Sequence, residues 1–277
     1  MTLNPAGRLG MWVAGLGIGL RCLPREPALG LKRLALPVGY WRAAEFAYVW
    51  RHLSELPGAR ILDLGSPKDL AAILARHRGC EVVAVDILPE AVALSQRYAD
   101  AQGLDGTGPG KVKSEVQDGR ALSYPDGFFD AAFSVSVLEH IPDRGDTAAI
   151  QELVRVVKRG GLVVVTTPYD RIYRESFAQH DVYERKQIGS QPVFFERHYD
   201  DAALAERLLG PAGAAVQDLE FWGEPWVRVE ALLERVGPLR WVLSPLEPLL
   251  SVAFLERVEH EGKARPMAAF LTLRKNS

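Results

Sequence analysis

Between Arg60 and Asp86 an apolar run, a turn, an Ala-rich segment and a second apolar run ending in an acid follow one another, and few folds accommodate that order. Ile61, Leu62 and Leu64 form the first run, which stops at Gly65, Ser66 and Pro67, a turn signal. Asp69 or Ser66 is placed to cap a helix over Leu70 to Arg78, and Gly79 ends it. Val82 to Val85 then make a second buried strand, closed by Asp86. This is a β-α-β unit with a carboxylate at the tip of its second strand. In an open parallel sheet, ligands bind beyond the carboxyl ends of the strands. An acid about twenty residues after the first turn can accept hydrogen bonds from ribose hydroxyls. Asp86 therefore points to a nucleoside.

The pattern continues. Pro89 opens a helix running to about Gln102, and Gly103 to Gly110 is a loop dense in glycine. Val112 to Gln117 alternates as a third strand and ends at Asp118. After a turn at Ser123 to Gly127, Phe128 to Val135 is a fourth strand, from which Ser136 to His140 leaves the sheet. Ala148 to Val157 is a helix terminated by Arg159, Gly160 and Gly161, and Leu162 to Thr166 is a fifth strand stopped by Pro168. Such a succession gives a parallel sheet with helices on both faces and right-handed crossovers. Before it, Trp41 to Leu56 carries a wide apolar stripe, suited to packing on the sheet or covering its cleft, packing being the stronger reading. Residues 1 to 40, rich in Gly and Pro, read as an irregular arm. After it come an insertion over Tyr169 to Asp200, a helix over Asp201 to Leu209 and a strand over Val216 to Trp222. Glu224 to His260 reads as largely helical, broken by Pro238, Pro245 and Pro248, and Met267 to Leu273 is a last strand. The division is an arm and covering helix over 1–54 and one domain over 55–277, with insertions at about 169–200 and 223–265.

Composition bounds the partners. The chain has 277 residues, 48% hydrophobic and 25% charged, enough for one large core plus insertions. A formal charge of −2 gives no basic excess, so no nucleic acid is expected. Cys22 and Cys80 lie in apolar settings, as buried thiols of a reducing compartment do, and no Cys and His cluster has metal-binding spacing. Met11 to Leu20, between Arg8 and Arg21, resembles the apolar region of a signal peptide, but its glycines weaken a helix and it is too short to span a bilayer. A cytoplasmic protein is the expectation. Trp241 to Leu255 is apolar. Pro245 and Pro248 exclude a spanning helix there, and core or homodimer packing ranks ahead of peripheral membrane contact.

Four segments, ILDLGS, VVAVD, VQDGRALSYPDGFFDAAFSVSVLEHIPD and ELVRVVKRGGLVVVTTP, together resemble the class I S-adenosylmethionine-dependent methyltransferases, in their small-molecule branch. The resemblance runs from about Glu55 to Tyr169. It implies a Rossmann-like, doubly wound α/β fold whose mostly parallel seven-stranded sheet has an antiparallel last strand. Val216 to Trp222 and Met267 to Leu273 would be its sixth and seventh strands. It also implies an enzyme that moves a methyl group from S-adenosylmethionine to a small-molecule acceptor. By the same resemblance, Asp63 and the Gly65–Ser66 turn face the methionine part, Asp86 holds the ribose and Ile87 packs on adenine. Asp118 accepts the adenine amino group, the Gly119 amide meets a ring nitrogen, and the backbone at Val135 and Ser136 meets the methionine ammonium. One departure stands out. The family turn carries further glycines, whereas Ser66, Pro67 and Lys68 follow Gly65, and Pro67 removes an N–H donor. Lys68 is then a partner for the methionine carboxylate or a solvated lysine. The departure keeps a second reading open, a non-catalytic binding or assembly domain without cofactor affinity. A nicotinamide oxidoreductase would need G-x-G-x-x-G, and Gly65 stands alone.

Methyl transfer is an in-line displacement in which the protein mainly positions reactants. A base is needed only where the acceptor must lose a proton. His140, leaving the fourth strand at its carboxyl edge, is the candidate, with a local packing role as the alternative. His180, Tyr183, His198 and Tyr199 lie in the insertion that would overhang the acceptor. Phe194 and Phe195 there would wall a pocket or anchor the loop. Glu139 reads as solvated or ion-paired.

Overall fold

The computed structural model describes residues 5–106, 108–179, 192–236 and 240–276, without the side chains of Arg240 and Trp241. The first forty residues are not irregular: they form helices α1 (Gly7–Cys22) and α2 (Pro27–Ala35). Their glycines, read as helix breakers, are packing devices. A Cβ on Gly19 would lie 2.9 Å from Leu34 Cγ, and one on Gly15 would lie 2.7 Å from the Pro37 carbonyl oxygen. Glycine lets the following segment close onto α1, and that tertiary contact outweighs the weak helix propensity. Met11, Ile18 and Cys22 are buried. Helix α3 (Tyr40–Leu53) lies close to its expected span and packs on both the sheet and α1.

The β-α repeats follow as β1 (Arg60–Leu64), α4 (Asp69–Arg78), β2 (Glu81–Asp86), α5 (Pro89–Ala101), β3 (Lys111–Val116) and β4 (Phe129–Val135), then α6 (Gly145–Val156) and β5 (Val157–Pro168). Helix α6 ends at Val156, not at Arg159–Gly161, because Val157 already pairs with Phe129 of β4. Gly160 and Gly161 lie inside β5 and exchange backbone hydrogen bonds with Lys275. Gly79 closes α4 in the left-handed region, at φ 68°. The α4 N-terminus has no side-chain cap, because both candidates are engaged elsewhere: Ser66 with β4, and Asp69 in a buried ion pair with Arg33 of α2 at 3.0 Å.

The insertion contributes an antiparallel hairpin, β6 (Arg174–Ala178) and β7 (Val193–His198). A helical stretch passes from α7 (Asp201–Ala203) through a π-turn (Leu204–Leu209) to α8 (Gly210–Ala212). Then come β8 (Ala215–Gly223), α9 (Val229–Arg235), α10 (Arg240–Leu243), α11 (Glu247–Phe254), β9 (Glu256–Val258) and β10 (Pro266–Arg274). The sheet order is β3-β2-β1-β4-β5-β10-β8-β9. The expected seven-stranded sheet is complete: β10 runs antiparallel between β5 and β8, and three-residue β9 adds an eighth strand at the β8 edge. Helix α11 packs against α1 and α3, with Pro248 and Ser251 buried and Leu249 and Val252 exposed. Among the described residues, no helix is long and apolar enough to cross a membrane.

Two features of this arrangement position the site. The strand order reverses between β1 and β4, which opens a crevice at their carboxyl ends. The loop beyond β4 is then clamped by the insertion. Arg197 of β7, fully buried, donates to the carbonyls of Ile141 (2.7 Å) and Asp143 (3.2 Å) and pairs with Asp146 of α6 at 3.2 Å. Arg207 and the Tyr199 hydroxyl converge on the same carboxylate, at 2.7 and 2.9 Å.

Candidate active site

Gly65 turns the chain out of β1 at φ +67°, and a Cβ there would come within 2.9 Å of Val137, so glycine allows the turn to nest against the loop after β4. Asp63 braces that turn from beneath. Its carboxylate accepts the Ser66 N–H at 3.1 Å, and it is 1% exposed, so burial pushes its pKa up to about 6. Ser66 Oγ in turn accepts the Val135 N–H at 3.0 Å, which ties the tip of β1 to the tip of β4. The Ser-Pro-Lys sequence leaves the cleft open. Lys68 is not solvated: its Nζ donates to Asp86 Oδ2 at 2.8 Å, and the two side chains are 14% and 16% exposed. Asp86 Oδ1 accepts the Leu88 N–H at 3.1 Å.

Around this turn lies a cleft of about 320 Å³, lined by Gly65, Ser66, Asp86, Ile87, Gly119, Val135 and Ser136 together with Lys68, Gln117 and Arg42. Seven of the nine residues that the resemblance assigns to the cofactor thus share one cavity, and His140 lines it too. Asp63 and Asp118 are not among its lining residues. Asp118 turns onto Arg120, accepting from its Nε at 3.0 Å, and from that loop Gln117 and Gly119 face the cleft.

A second cavity, of about 550 Å³, lies beside the first. Tyr40, Trp41, Arg42 and Glu45 of α3, the end of β5, and Glu196 and His198 of β7 line it, together with Glu139 and His140 from the loop after β4. Arg42, Ser136 and His140 line both cavities. His140 Nδ1 lies 2.8 Å from the Phe195 carbonyl oxygen, which can only accept. Nδ1 therefore donates to that carbonyl. The aromatic walls are Tyr40, Trp41 and Tyr169 rather than Phe194 and Phe195. The Phe195 ring packs edge-on against His140, and Phe194 lies under the Arg197 guanidinium. Tyr199 is buried with its hydroxyl on Asp146, and His180 and Tyr183 lie outside the described residues.

Glu139 is the largest difference from the sequence expectation. It is not solvated but 1% exposed, and its pKa is pushed up to about 8 by burial. Its Oε2 has no hydrogen-bond partner among the described residues. Two further groups on α3 escaped the sequence reading. Glu45, 3% exposed, accepts from Ser136 Oγ (2.5 Å), Thr166 Oγ1 (2.8 Å) and Arg42 (2.6 Å). An acid–base pair three residues apart in the otherwise apolar first turns of α3 was the signal available for both. Ser136 is held by Glu45 at φ +50°, uncommon for a serine, at the point where the cavities meet.

Comparisons with known proteins agree with this geometry. Residues 62–165, from β1 through most of β5, match the methyltransferase domain family. The chain is 39% identical over 184 residues to the 2-methyl-6-phytyl-1,4-hydroquinone methyltransferase of Synechocystis sp., covering 62% of this chain and 55% of that one. It is 33% identical over 98 residues to the ajmaline N-methyltransferase of Rauvolfia serpentina, covering 35% and 32%. The chain thus spans about half or less of the length of these relatives. In fold it is similar to an S-adenosylmethionine-dependent methyltransferase from Methanosarcina mazei, with a TM-score of 0.54 at 18% identity, covering 82% of this chain and 96% of that one. The stretch from β1 to β5 is thus similar in sequence to the methyltransferase domain family, and the chain shares the fold of an S-adenosylmethionine-dependent methyltransferase.

Proposed function

We propose that the chain transfers a methyl group from S-adenosylmethionine to a small-molecule acceptor. The observation that carries this reading is the pair of cavities meeting at Arg42, Ser136 and His140. A nucleoside-sized cleft opens there onto a larger polar chamber, as a donor and an acceptor in line require. The residues fit the cofactor. Asp86 has two of its roughly four lone-pair sites taken, by Lys68 and the Leu88 N–H, which leaves capacity for ribose hydroxyls. Ile87 offers an apolar face for adenine, and at Gly119 a Cβ would strike Leu64 at 2.8 Å, so only glycine lets that loop close on the cleft. Arg42 and Lys68, each paired with one carboxylate and each with N–H groups to spare, are the cations we assign to the methionine carboxylate. When bound, the cofactor supplies a methyl group on a cationic sulfur, a good leaving group.

We assign His140 to the acceptor. Phe195 fixes its ring and leaves Nε2 free at the junction. The names of the relatives, a phytyl hydroquinone and an alkaloid methyltransferase, support a small organic acceptor. Two buried free thiols, Cys22 and Cys80, support a reducing, cytoplasmic location.

Calorimetric titration with S-adenosylmethionine and S-adenosylhomocysteine tests the reading. Saturable binding is expected, and Asp86→Ala should weaken it at least tenfold, about the value of one or two hydrogen bonds to a charged group. Folded protein giving no heat would favour a domain that has lost the cofactor.

A further inference from the structure

We propose that the helical hairpin α1–α2 docks on a lipid bilayer surface carrying anionic headgroups, with its leucines entering one leaflet and its cations pairing with the headgroups. The proposal goes beyond the methyl-transfer reading and does not rest on it.

A helix that is apolar all round belongs in a core or in lipid, yet α1 has one side open. It buries Met11, Ile18 and Cys22 against the body of the protein. Its other side is just as apolar. Leu9, Val13, Leu16 and Leu20 recur at steps of four, three and four, so they share one face. Leu9 and Leu20 are exposed, and Val13 and Leu16 are half-exposed. Helix α2 folds back and extends this face with Pro27, Leu31 and Ala35, four residues apart and all exposed. The two helices meet at Gly19 and Gly30, where a Cβ on Gly30 would lie 2.9 Å from the Gly19 carbonyl oxygen. Leu20 and Leu31 each follow their contact glycine by one position, which in antiparallel helices turns both to the same side. They are 59% and 62% exposed. A contiguous apolar face of this kind marks a site of association. Because its inner side is packed on the body, α1 lies along a bilayer surface and does not cross it.

Charge selects the occupant. Neither α1 nor α2 contains an acidic residue. Residues 1–54 hold seven Lys and Arg against two Glu, in a chain whose net charge is −2. Of those two, Glu45 is buried and Glu26 pairs with Arg97 at 2.8 Å. Arg21 ends α1, Arg25 lies in the connection and Lys32 follows Leu31, so cations rim the apolar face. Among the described residues, no carboxylate pairs with any of the three. Burial, and then the neighbouring charge of Arg76, holds the Arg21 guanidinium below its ordinary range, so an arriving anion relieves a contact between like charges. Long cationic side chains at the margin of an apolar face keep their charge in the headgroup layer. A second copy of the chain is the poorer occupant. A twofold interface sets one patch against itself and would bring these cations against their own counterparts. Anionic headgroups supply the charge that the hairpin lacks.

Vesicle flotation of the full chain tests this. The protein is mixed with phosphatidylcholine vesicles and with vesicles in which about a third of the lipid is phosphatidylglycerol. Binding to the anionic vesicles should be about tenfold or more tighter than to the neutral ones, and should weaken as added salt screens the headgroups. Leu20→Ser combined with Leu31→Ser should weaken binding about tenfold or more. Arg21→Gln combined with Lys32→Gln should erase the preference for anionic lipid. Val216→Ser, at an exposed apolar position on β8, should bind as the wild type does. No binding to either vesicle, equal binding to both, or leucine variants that bind like the wild type would each overturn the proposal. So would sedimentation showing a wild-type dimer that the leucine substitutions convert to monomers. Circular dichroism reports whether the variants fold, and the wild-type comparison of the two vesicles decides even where they do not. Affinity for S-adenosylhomocysteine is read separately. Its absence in the wild type would remove the methyl-transfer reading and leave the docking result untouched.

Discussion

A buried carboxyl whose pKa lies near 8 binds a proton that the same group in the unfolded chain, near 4.5, has already lost. Between those values the folded state carries more protons than the unfolded state, so stability falls as pH rises and is lowest above the folded value. At about 1.4 kcal/mol per unit, Glu139 alone removes on the order of 5 kcal/mol across that window. Glu139→Gln takes the titration away while keeping the shape. Urea midpoints measured from about pH 5 to 9 should fall more steeply in the wild type than in the variant, which should be the more stable protein at the alkaline end. Parallel curves would show that Glu139 ionises in the fold as easily as in water. Sequence reading missed this residue for a physical reason. A glutamate beside a histidine after a strand is ordinarily solvated, and its burial comes from α3 and from the β7 hairpin, both distant in sequence. Asp86 lies on the cleft, where its strand and turn carry it locally, whereas the Asp118 carboxylate is engaged by Arg120, two residues away.

At the level of elements, the β-α repeats were legible because each apolar run and turn is self-contained. The strands β1 to β4, the left-handed stop at Gly79 and the late strands β8 and β10 all lie near their expected spans, while β5 starts five residues early because Val157 already pairs with β4. The N-terminal helices were not legible, because their glycines answer to contacts rather than to propensity. Two substitutions on α1 separate these causes. A Cβ on Gly17 meets only the flexible guanidinium of Arg21, at 3.1 Å, whereas on Gly19 it meets Leu34 Cγ at 2.9 Å and the Leu34 backbone nitrogen at 3.0 Å. Gly17→Ala should therefore raise stability by up to about 1 kcal/mol through helix propensity. Gly19→Ala should lower it by about 1–3 kcal/mol through overpacking. Thermal melts of the two variants, followed by circular dichroism, should move in opposite directions; a rise in both would mean that α1 and α2 are not packed this closely.

For the molecule as a whole, the sheet supplies the smaller cleft, while the larger cavity is assembled from parts added around it. Helix α3 brings Arg42 and Glu45, and the hairpin β6–β7 brings Glu196 and His198. Arg197 is the joint between that hairpin and the loop bearing Glu139 and His140. Replacing it with Met keeps the bulk but leaves the Ile141 and Asp143 carbonyls without its N–H groups, although Asp146 keeps Arg207 and Tyr199. Breaking one member of a buried charged network costs about 3–5 kcal/mol, and the surviving partners of Asp146 place Arg197→Met toward the lower end. Arg197 lines neither cavity, and the smaller cleft is braced independently by Asp63 and Ser66. The variant should therefore unfold at lower urea, while its affinity for S-adenosylhomocysteine stays within about twofold of wild type. A parallel loss of cofactor affinity would mean that the insertion and the sheet form one cooperative unit, and that the two cavities are not separately built.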